Sequence, residues 1–314
     1  MRETCVIGGS RYFGRRLVEL LRDGGDRVTV VNRGSVAPPP GVEQLIADRD
    51  DAAALDAALG GRDFDVVLDQ VCYTPAQAAV ARTVFAERTG RYVMTSTMEV
   101  YDPATSDAIA PARAGEPVVE ERVDPTAWPV DAALWRDPER AARSLTPEAH
   151  YAEGKRQAEA VFSADPVFPY VSVRSAHVLG GGARDFTGRL AYYTERIADR
   201  RPVDVHRDPM PTSFVDCDEI ADFLHWVAGA DFVGPVNACA HGEFTVTDLC
   251  ELVAARVGVD PVYRVVDDVR ASPYSFDRYY AMDNGRAERL GFTFHDGTTR
   301  LRAAIAAAVA RTGA

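Results

Sequence analysis

A short apolar run, Thr4 to Ile7, leads straight into Gly8-Gly9, and Phe13 to Arg22 then carries Leu17, Val18, Leu20 and Leu21 at helical spacing. Strand, glycine turn and helix in that order leave few folds open. The alternation continues. Val28 to Val31 reads as a second buried strand, Leu45-Ile46 as a short third and Asp65 to Leu68 as a fourth, with alanine-rich helices at 51 to 59 and 76 to 88. Arg91 to Met94 opens a fifth strand. Parallel neighbours need a crossover helix between them, so this spacing predicts an α/β fold built on a doubly wound parallel sheet.

From 102 to 147 the regular pattern fails and prolines recur, at 103, 111, 117, 125, 129, 138 and 147. This stretch reads as a long lid-like insertion with one helical turn near Trp135 to Ser144, since structureless loops of that length are usually lids or disordered. A helix at 148 to 162, a strand at 170 to 174 and a glycine turn at Gly180-Gly181-Gly182 follow. Beyond them, short strands (203 to 206, 213 to 216, 235 to 238, 262 to 266) mix with helices (218 to 229, 246 to 257, 298 to 311). A chain of 314 residues suits two lobes. We expect the sheet domain over 1–175 and a smaller α+β lobe over 176–314, interleaved with the sheet.

Thirty-five cations against 47 anions give a net charge of −12, which opposes a broad nucleic-acid or anionic-membrane surface. No apolar run is long enough to span a bilayer. The chain reaches its glycine pair before any signal-peptide core forms, so a cytoplasmic location is expected. Cys5, Cys72, Cys217, Cys239 and Cys250 are odd in number and lack C-x-x-C spacing, as reduced, buried fillers would be. The six histidines show no ligand spacing, and no metal is expected.

The turn Gly8-Gly9-Ser10-Arg11-Tyr12-Phe13-Gly14 opens the first helix. Glycines there let the backbone approach a pyrophosphate, whose charge is stabilised by free amides and the dipole at the helix start. Dinucleotide binders usually end the second strand with an acidic residue for the adenosine ribose. Here the strand ends Asn32-Arg33, and a neutral amide followed by a guanidinium suits a 2′-phosphate, which favours NADP(H) over NAD(H). Arg33 as a solvated turn residue is the plain alternative. Asp48, after the third strand, has the position to accept from an adenine amino group or to stand in an exposed loop.

Tyr151 and Lys155 are four apart, so on a helix they share one face. An ammonium beside a phenol favours the phenolate, lowering a pKa that starts near ~10 toward the range of acid/base chemistry. Lys155 is the only lysine in the chain, the other 34 cations being arginine. A lone lysine in such a chain points to a site that needs a compact ammonium rather than a planar fork. The fifth strand ends Thr95-Ser96-Thr97-Met98-Glu99, placing a hydroxyl at the carboxyl edge of the sheet, where ligands bind. Thr97 or Ser96 has the chemistry to bond the substrate oxygen that Tyr151 protonates.

Together these residues resemble the extended short-chain dehydrogenase/reductase family of the NAD-dependent epimerase/dehydratase type, from Val6 to about Val257. The resemblance implies a Rossmann-type fold binding NAD(P). Gly8, Gly9 and Gly14 look like the cofactor turn, with Ser10, Arg11, Tyr12 and Phe13 inside it. It also implies Thr97 as active-site hydroxyl, Tyr151 as acid/base, and Lys155 as its partner and nicotinamide-ribose ligand. Val173 to Gly180 looks like the segment linking cofactor and substrate sites, with His177 either a substrate contact or a packed histidine.

The Gly-Gly-Ser-Arg-Tyr-Phe-Gly turn followed by Asn-Arg-Gly is similar to an atypical subgroup that includes chloroplast stem-loop RNA-binding proteins. Sugar-nucleotide dehydratases carry Thr-Asp-Glu where this chain has Thr97-Met98-Glu99. Methionine cannot donate the elimination proton, which disfavours dehydration and leaves Glu99 as a base. Thr212 stands where nucleotide-sugar binders often have arginine, so such a substrate requires Arg184 or Arg207 instead.

The resemblance therefore implies an NAD(P)-dependent oxidoreductase or epimerase acting at a carbinol or carbonyl carbon of a sugar-like small molecule, nucleotide-linked or not. A one-way NADPH ketoreductase uses the same residues. The rival of another class is a cofactor-binding module for RNA or a protein partner, without catalysis. The acidic charge opposes RNA, and a homodimer is allowed.

Overall fold

In the computed structural model, which describes residues 1–267 and 271–312, strands and helices alternate as the sequence predicts. The order is β1 (Glu3–Ile7), α1 (Tyr12–Asp23), β2 (Arg27–Asn32), β3 (Glu43–Ile46), α2 (Ala52–Leu59), β4 (Val66–Asp69), α3 (Pro75–Phe85) and β5 (Tyr92–Thr97). Two short helices, α4 (Ala132–Trp135) and α5 (Pro138–Ser144), precede the long α6 (Pro147–Ala164) and β6 (Tyr170–Ser175). Then come β7 (His177–Leu179), α7 (Arg189–Ala198), β8 (Val203–Val205), β9 (Phe214–Asp216), α8 (Cys217–Val227) and β10 (Gly234–Ala238). The chain ends with α9 (Val246–Val257), β11 (Tyr263–Val265), α10 (Gly285–Arg289) and α11 (Gly297–Thr312).

Seven strands form one sheet in the order β10-β6-β5-β4-β1-β2-β3. Strand β1 pairs in parallel with β2 and β4, β2 with β3, and β4 with β5. This is the Rossmann-type arrangement, in which the chain turns back at β1 and the first glycine turn lies at that reversal. Every residue of β4, β5 and β6 is buried, as strands covered on both faces by helices must be.

The chain divides into two units. The first comprises Met1–Ala110, Glu120–Arg174 and Ala221–Val236, and its core packs Ile7, Val67, Phe85, Tyr92, Phe162 and Phe168 together. The second comprises Pro111–Val119, Ser175–Ile220 and Asn237–Ala314, with its own core around Tyr193, Phe214, Leu249, Tyr274 and Ile305. No helix among the described residues is long and apolar enough to cross a membrane.

The segment from 102 to 147 has helix where one turn is expected near Trp135 to Ser144, and more regular structure besides. It carries 3-10 turns at Pro103–Thr105 and Glu120–Arg122 as well as α4 and α5, and it buries Ile109, Val118, Val123, Trp135 and Ala141. One cause is a buried guanidinium in the first unit. Arg174, wholly buried, pairs with Glu159 at 2.6 Å and donates to the Tyr101 hydroxyl and to the carbonyls of Glu120 and Val123, each at 2.9 Å. A buried charge is tolerated only when paired and hydrogen-bonded, and here the partners fix the segment as well.

Candidate active site

The glycine turn is built by close approach. Gly8 and Gly9 take φ of +88° and +67°, a region that side-chained residues rarely enter. A β-carbon on Gly9 would stand 2.7 Å from Val6 Cγ1, and one on Gly14 would stand 3.0 Å from the Gly9 α-carbon. Tyr12, the first residue of α1, is also left-handed at φ 52°, and its ring is buried against the body of the unit. Strain of this kind persists where the surroundings over-determine it, and it clusters at ligand sites. The N-cap of α1 is Arg11, whose exposed side chain makes no capping bond, and the first turn carries no acidic residue. Such a helix start favours an anion.

Gly8, Val31, Asn32, Arg33, Ser35, Ala47, Asp48, Arg49, Tyr73 and Gln77 line one cleft of about 390 Å³ in the first unit. Asn32 is fully engaged: its amide donates to Ser10 Oγ at 2.8 Å, and its oxygen accepts from Gly34 N and Gln44 Nε2 at 2.8 Å each. The end of β2 is thus tied to the glycine turn by a neutral side chain. Arg33 and Asp48 are exposed at the lining of the cleft.

Sequence reasoning missed Arg49, which is 8% exposed and pairs through Nη2 with Asp69 at the end of β4. Asp69 is wholly buried and also accepts from the Tyr92 hydroxyl at 2.6 Å and Val71 N at 2.9 Å. Burial alone would weaken the Arg49 charge, but Asp69, Cys72, Tyr92 and Asp50 together outweigh it and hold the guanidinium protonated. Nε and Nη1 of Arg49 are buried without a partner, as are both amide atoms of Gln70, beside the positions of Gly8 and Gly14. Orphaned polar groups around a glycine cradle need an explanation, and a ligand with oxygen and nitrogen acceptors supplies one. The residues present therefore fit a dinucleotide.

Helix α6 carries Tyr151 and Lys155. Its N-cap Thr146 accepts from Ala149 N, and Pro147 starts the helix, where its missing N–H costs nothing. Tyr151 is 37% exposed, whereas Lys155 is 2% exposed and donates from Nζ to the Thr95 carbonyl at 2.7 Å. Nζ lies 5.9 Å from the centre of the Tyr151 ring and 4.5 Å from that of Tyr73. Burial lowers the Lys155 pKa to about 8, against the opposing pull of Cys72, Asp69 and Glu159. Thr97 Oγ1 accepts from Glu99 N at 3.3 Å, which opens the turn at Met98–Tyr101 and leaves its O–H free of that bond. Glu99 is half-buried at the start of the turn, and Met98 is buried.

Ser96 stands apart from the expectation of a substrate contact. It is buried, and its hydroxyl donates to Glu159 Oε1 at 2.5 Å, so it braces β5 against α6.

In the second unit His177 is buried in an aromatic box, stacked on Phe276 at 5.3 Å with Tyr274 and Tyr280 at 5.4 and 5.8 Å. Burial first, then the charges of Arg189 and Arg278, lower its pKa to about 3, and Nε2 has no partner. The packed reading of His177 thus describes its surroundings, with one polar edge left unbonded. Arg184 pairs with Asp218 at 3.0 Å.

No family model matches the chain. Over 123 residues it is 30% identical to the 2′-dehydrokanamycin reductase of Streptomyces kanamyceticus, a match spanning 38% of this chain and 35% of that enzyme. Among solved structures it is similar to the UDP-glucose 4-epimerase of Thermotoga maritima in complex with UDP-glucose, with TM-score 0.72 and 17% identity over 99% of this chain and 100% of that one. The Thermus thermophilus UDP-glucose 4-epimerase in complex with NAD gives 0.70 and 19%, over 98% of each chain. The dTDP-glucose 4,6-dehydratase of Bacillus anthracis in complex with NAD gives 0.73 and 13%, over 98% of this chain and 96% of that one. At these identities the structures establish the shared fold.

Proposed function

We propose that the chain is an NAD(P)-dependent oxidoreductase or epimerase of the short-chain dehydrogenase/reductase type, acting at a carbinol or carbonyl carbon of a sugar-like small molecule. The observation that carries this reading is a buried Lys155, the only ammonium side chain, with Nζ 5.9 Å from the Tyr151 ring centre and anchored on the strand whose end presents Thr97. A bound dinucleotide supplies the hydride donor or acceptor. Tyr151 gives or takes the proton of the substrate oxygen, and the Lys155 charge favours its phenolate. Thr97 donates to the same oxygen. Glu99 is the carboxylate at hand for a proton next to the carbonyl, and Met98 has none to give, which argues against dehydration.

The glycine turn and the start of α1 hold the pyrophosphate, Arg49 and Gln70 offer their unbonded N–H groups, and Asp48 takes the adenine amino group. The neutral Asn32 followed by an exposed Arg33 supports NADP(H) and the atypical subgroup. In the second unit, His177 offers a neutral edge to substrate, and Arg184 meets an anionic group only by competing with Asp218.

One-way reduction is the second reading, favoured by the relative named a reductase. The test is the state of the purified protein. Retained oxidised cofactor, with interconversion of a sugar or nucleotide sugar, supports an epimerase. An empty site that binds NADPH and reduces a ketone supports a reductase. Failure to bind either dinucleotide, with salt-sensitive retention of RNA, overturns both.

A further inference from the structure

We propose that Tyr73 is a positioning residue for Lys155, its ring face carrying the ammonium and fixing it beside the glycine-lined cleft. An ammonium has three donors, and the Thr95 carbonyl takes one of them. The Tyr73 ring centre, 4.5 Å from Nζ, lies well inside the range over which an aromatic face attracts a cation, and it is nearer than the Tyr151 ring. For an ammonium only 2% exposed, this attraction replaces lost hydration.

Two independent contacts hold Tyr73 in place. Its N–H donates to Gln77 Oε1 at 2.7 Å, and Gln77 N in turn donates to Thr74, the N-cap of α3. Its carbonyl oxygen packs on the α-carbon side of Gly154, leaving no room there for a side chain. Helices α3 and α6 therefore clamp the residue between them. Tyr73 also lines the cleft, and its ring centre is 6.2 Å from that of Tyr151. One ring thus touches the space read as the dinucleotide site, the ammonium and the acid/base phenol. Its catalytic consequence rests on the function proposed above; its geometry does not.

The charged and titratable groups felt by Lys155 are Asp69 at the end of β4, Cys72 from the loop after it, Arg49 from the segment after β3 and Glu159 from its own helix. Tyr73 is the group whose removal changes the ring face without changing any of these charges.

Because the chain has one lysine, lysine-specific ¹³C labelling gives a single side-chain signal, whose pH titration reads Lys155 directly. Tyr73→Phe keeps the face and is expected to keep the wild-type midpoint. Tyr73→Leu is expected to lower it by about one unit, a tenfold change in the acid constant, and to reduce the ring-current displacement of the Lys155 ε-protons to what the Tyr151 ring supplies. Tyr73→Trp, with the strongest face, is expected to raise the midpoint above that of Tyr73→Phe, and it decides the matter if the leucine variant does not fold. Equal midpoints in all folded variants overturn the proposal. No substrate or cofactor enters this titration, so a failed search for enzymatic turnover leaves its result intact.

Discussion

The α-carbon of Gly154 faces the carbonyl oxygen of Tyr73 with no space between them for a β-carbon. The neighbour is backbone, which cannot swing away as a flexible side chain does. Gly154→Ala is therefore expected to push the loop after β4 off α6 and destabilise the protein by about 1–3 kcal/mol, the usual cost of overpacking. The gain in helix propensity from replacing glycine, at most about 1 kcal/mol, does not cancel this. Urea unfolding of the variant checks it, and a midpoint at or above the wild type's refutes the packing argument.

Burial holds the Lys155 pKa at about 8, below its ordinary 10.5. Between those values the unfolded chain binds a proton that the folded chain does not, so stability rises with pH across that window. The penalty is present in full below about 8. Relative to Lys155→Met, the wild type is expected to gain about 3 kcal/mol between pH 7 and pH 10.5. Unfolding both proteins at the two pH values removes the titrations they share. A stability difference that does not change with pH refutes the buried-ammonium reading.

Asp69 and Arg49 form a buried pair whose halves are unequal: Asp69 has three donors, and Arg49 keeps two unbonded nitrogens. Asp69→Asn leaves the guanidinium buried without its counter-charge and is expected to cost about 3–5 kcal/mol. Replacing both residues, as in Arg49→Met with Asp69→Asn, is expected to recover much of that loss while weakening dinucleotide binding. Denaturant unfolding and cofactor titration on the same proteins separate the two effects. Full recovery of both stability and affinity leaves Arg49 no part in the cleft.

The sheet was readable from the sequence because its signals are local. Val28 to Val31, broken only by Thr29, and Val66 to Leu68 are short apolar runs, and Gly8-Gly9 falls between a strand and a helix. The Arg49–Asp69 pair was not readable, because 20 residues and a helix separate its members. An aspartate ending an apolar strand looks like a surface turn until β4 is seen to be covered. In the 102 to 147 stretch the helical turn near Trp135 to Ser144 and the helix from 148 are legible, and their first residues are Pro138 and Pro147, capped by Asp137 and Thr146. Asp-Pro and Thr-Pro before alanine-rich runs were the usable signal. Helix α7 follows Gly188, which gives no side-chain cap to mark its start. Ser96 and Thr97 look alike in sequence, and only the Ser96 bond to Glu159 tells them apart.

Arg33 is exposed at the cleft lining, next to an Asn32 whose hydrogen bonds are all internal. If the guanidinium meets a 2′-phosphate, Arg33→Ala is expected to weaken NADPH binding by roughly tenfold to a hundredfold, the worth of a charge-assisted contact, with NADH nearly unchanged. Fluorescence titration with both reduced dinucleotides checks this. Equal losses assign Arg33 to the shared part of the cofactor.

His177 titrates at about 3 because its aromatic box excludes water and Arg189 and Arg278 oppose a further positive charge. It is therefore neutral near pH 7, and in the proposed reaction it would offer a hydrogen-bonding edge rather than a proton. The cost is acid sensitivity. Between pH 6.5 and 3 the unfolded chain takes a proton that the folded chain refuses, so stability falls as pH drops through that window. At pH 5 the loss from this residue alone is about 2 kcal/mol relative to pH 7.5. His177→Gln keeps a polar edge and cannot titrate, so its stability is expected to fall less between those two pH values, by about that amount. Parallel urea unfolding of the two proteins measures the gap, and identical acid sensitivity shows that the imidazole is protonated inside the folded box.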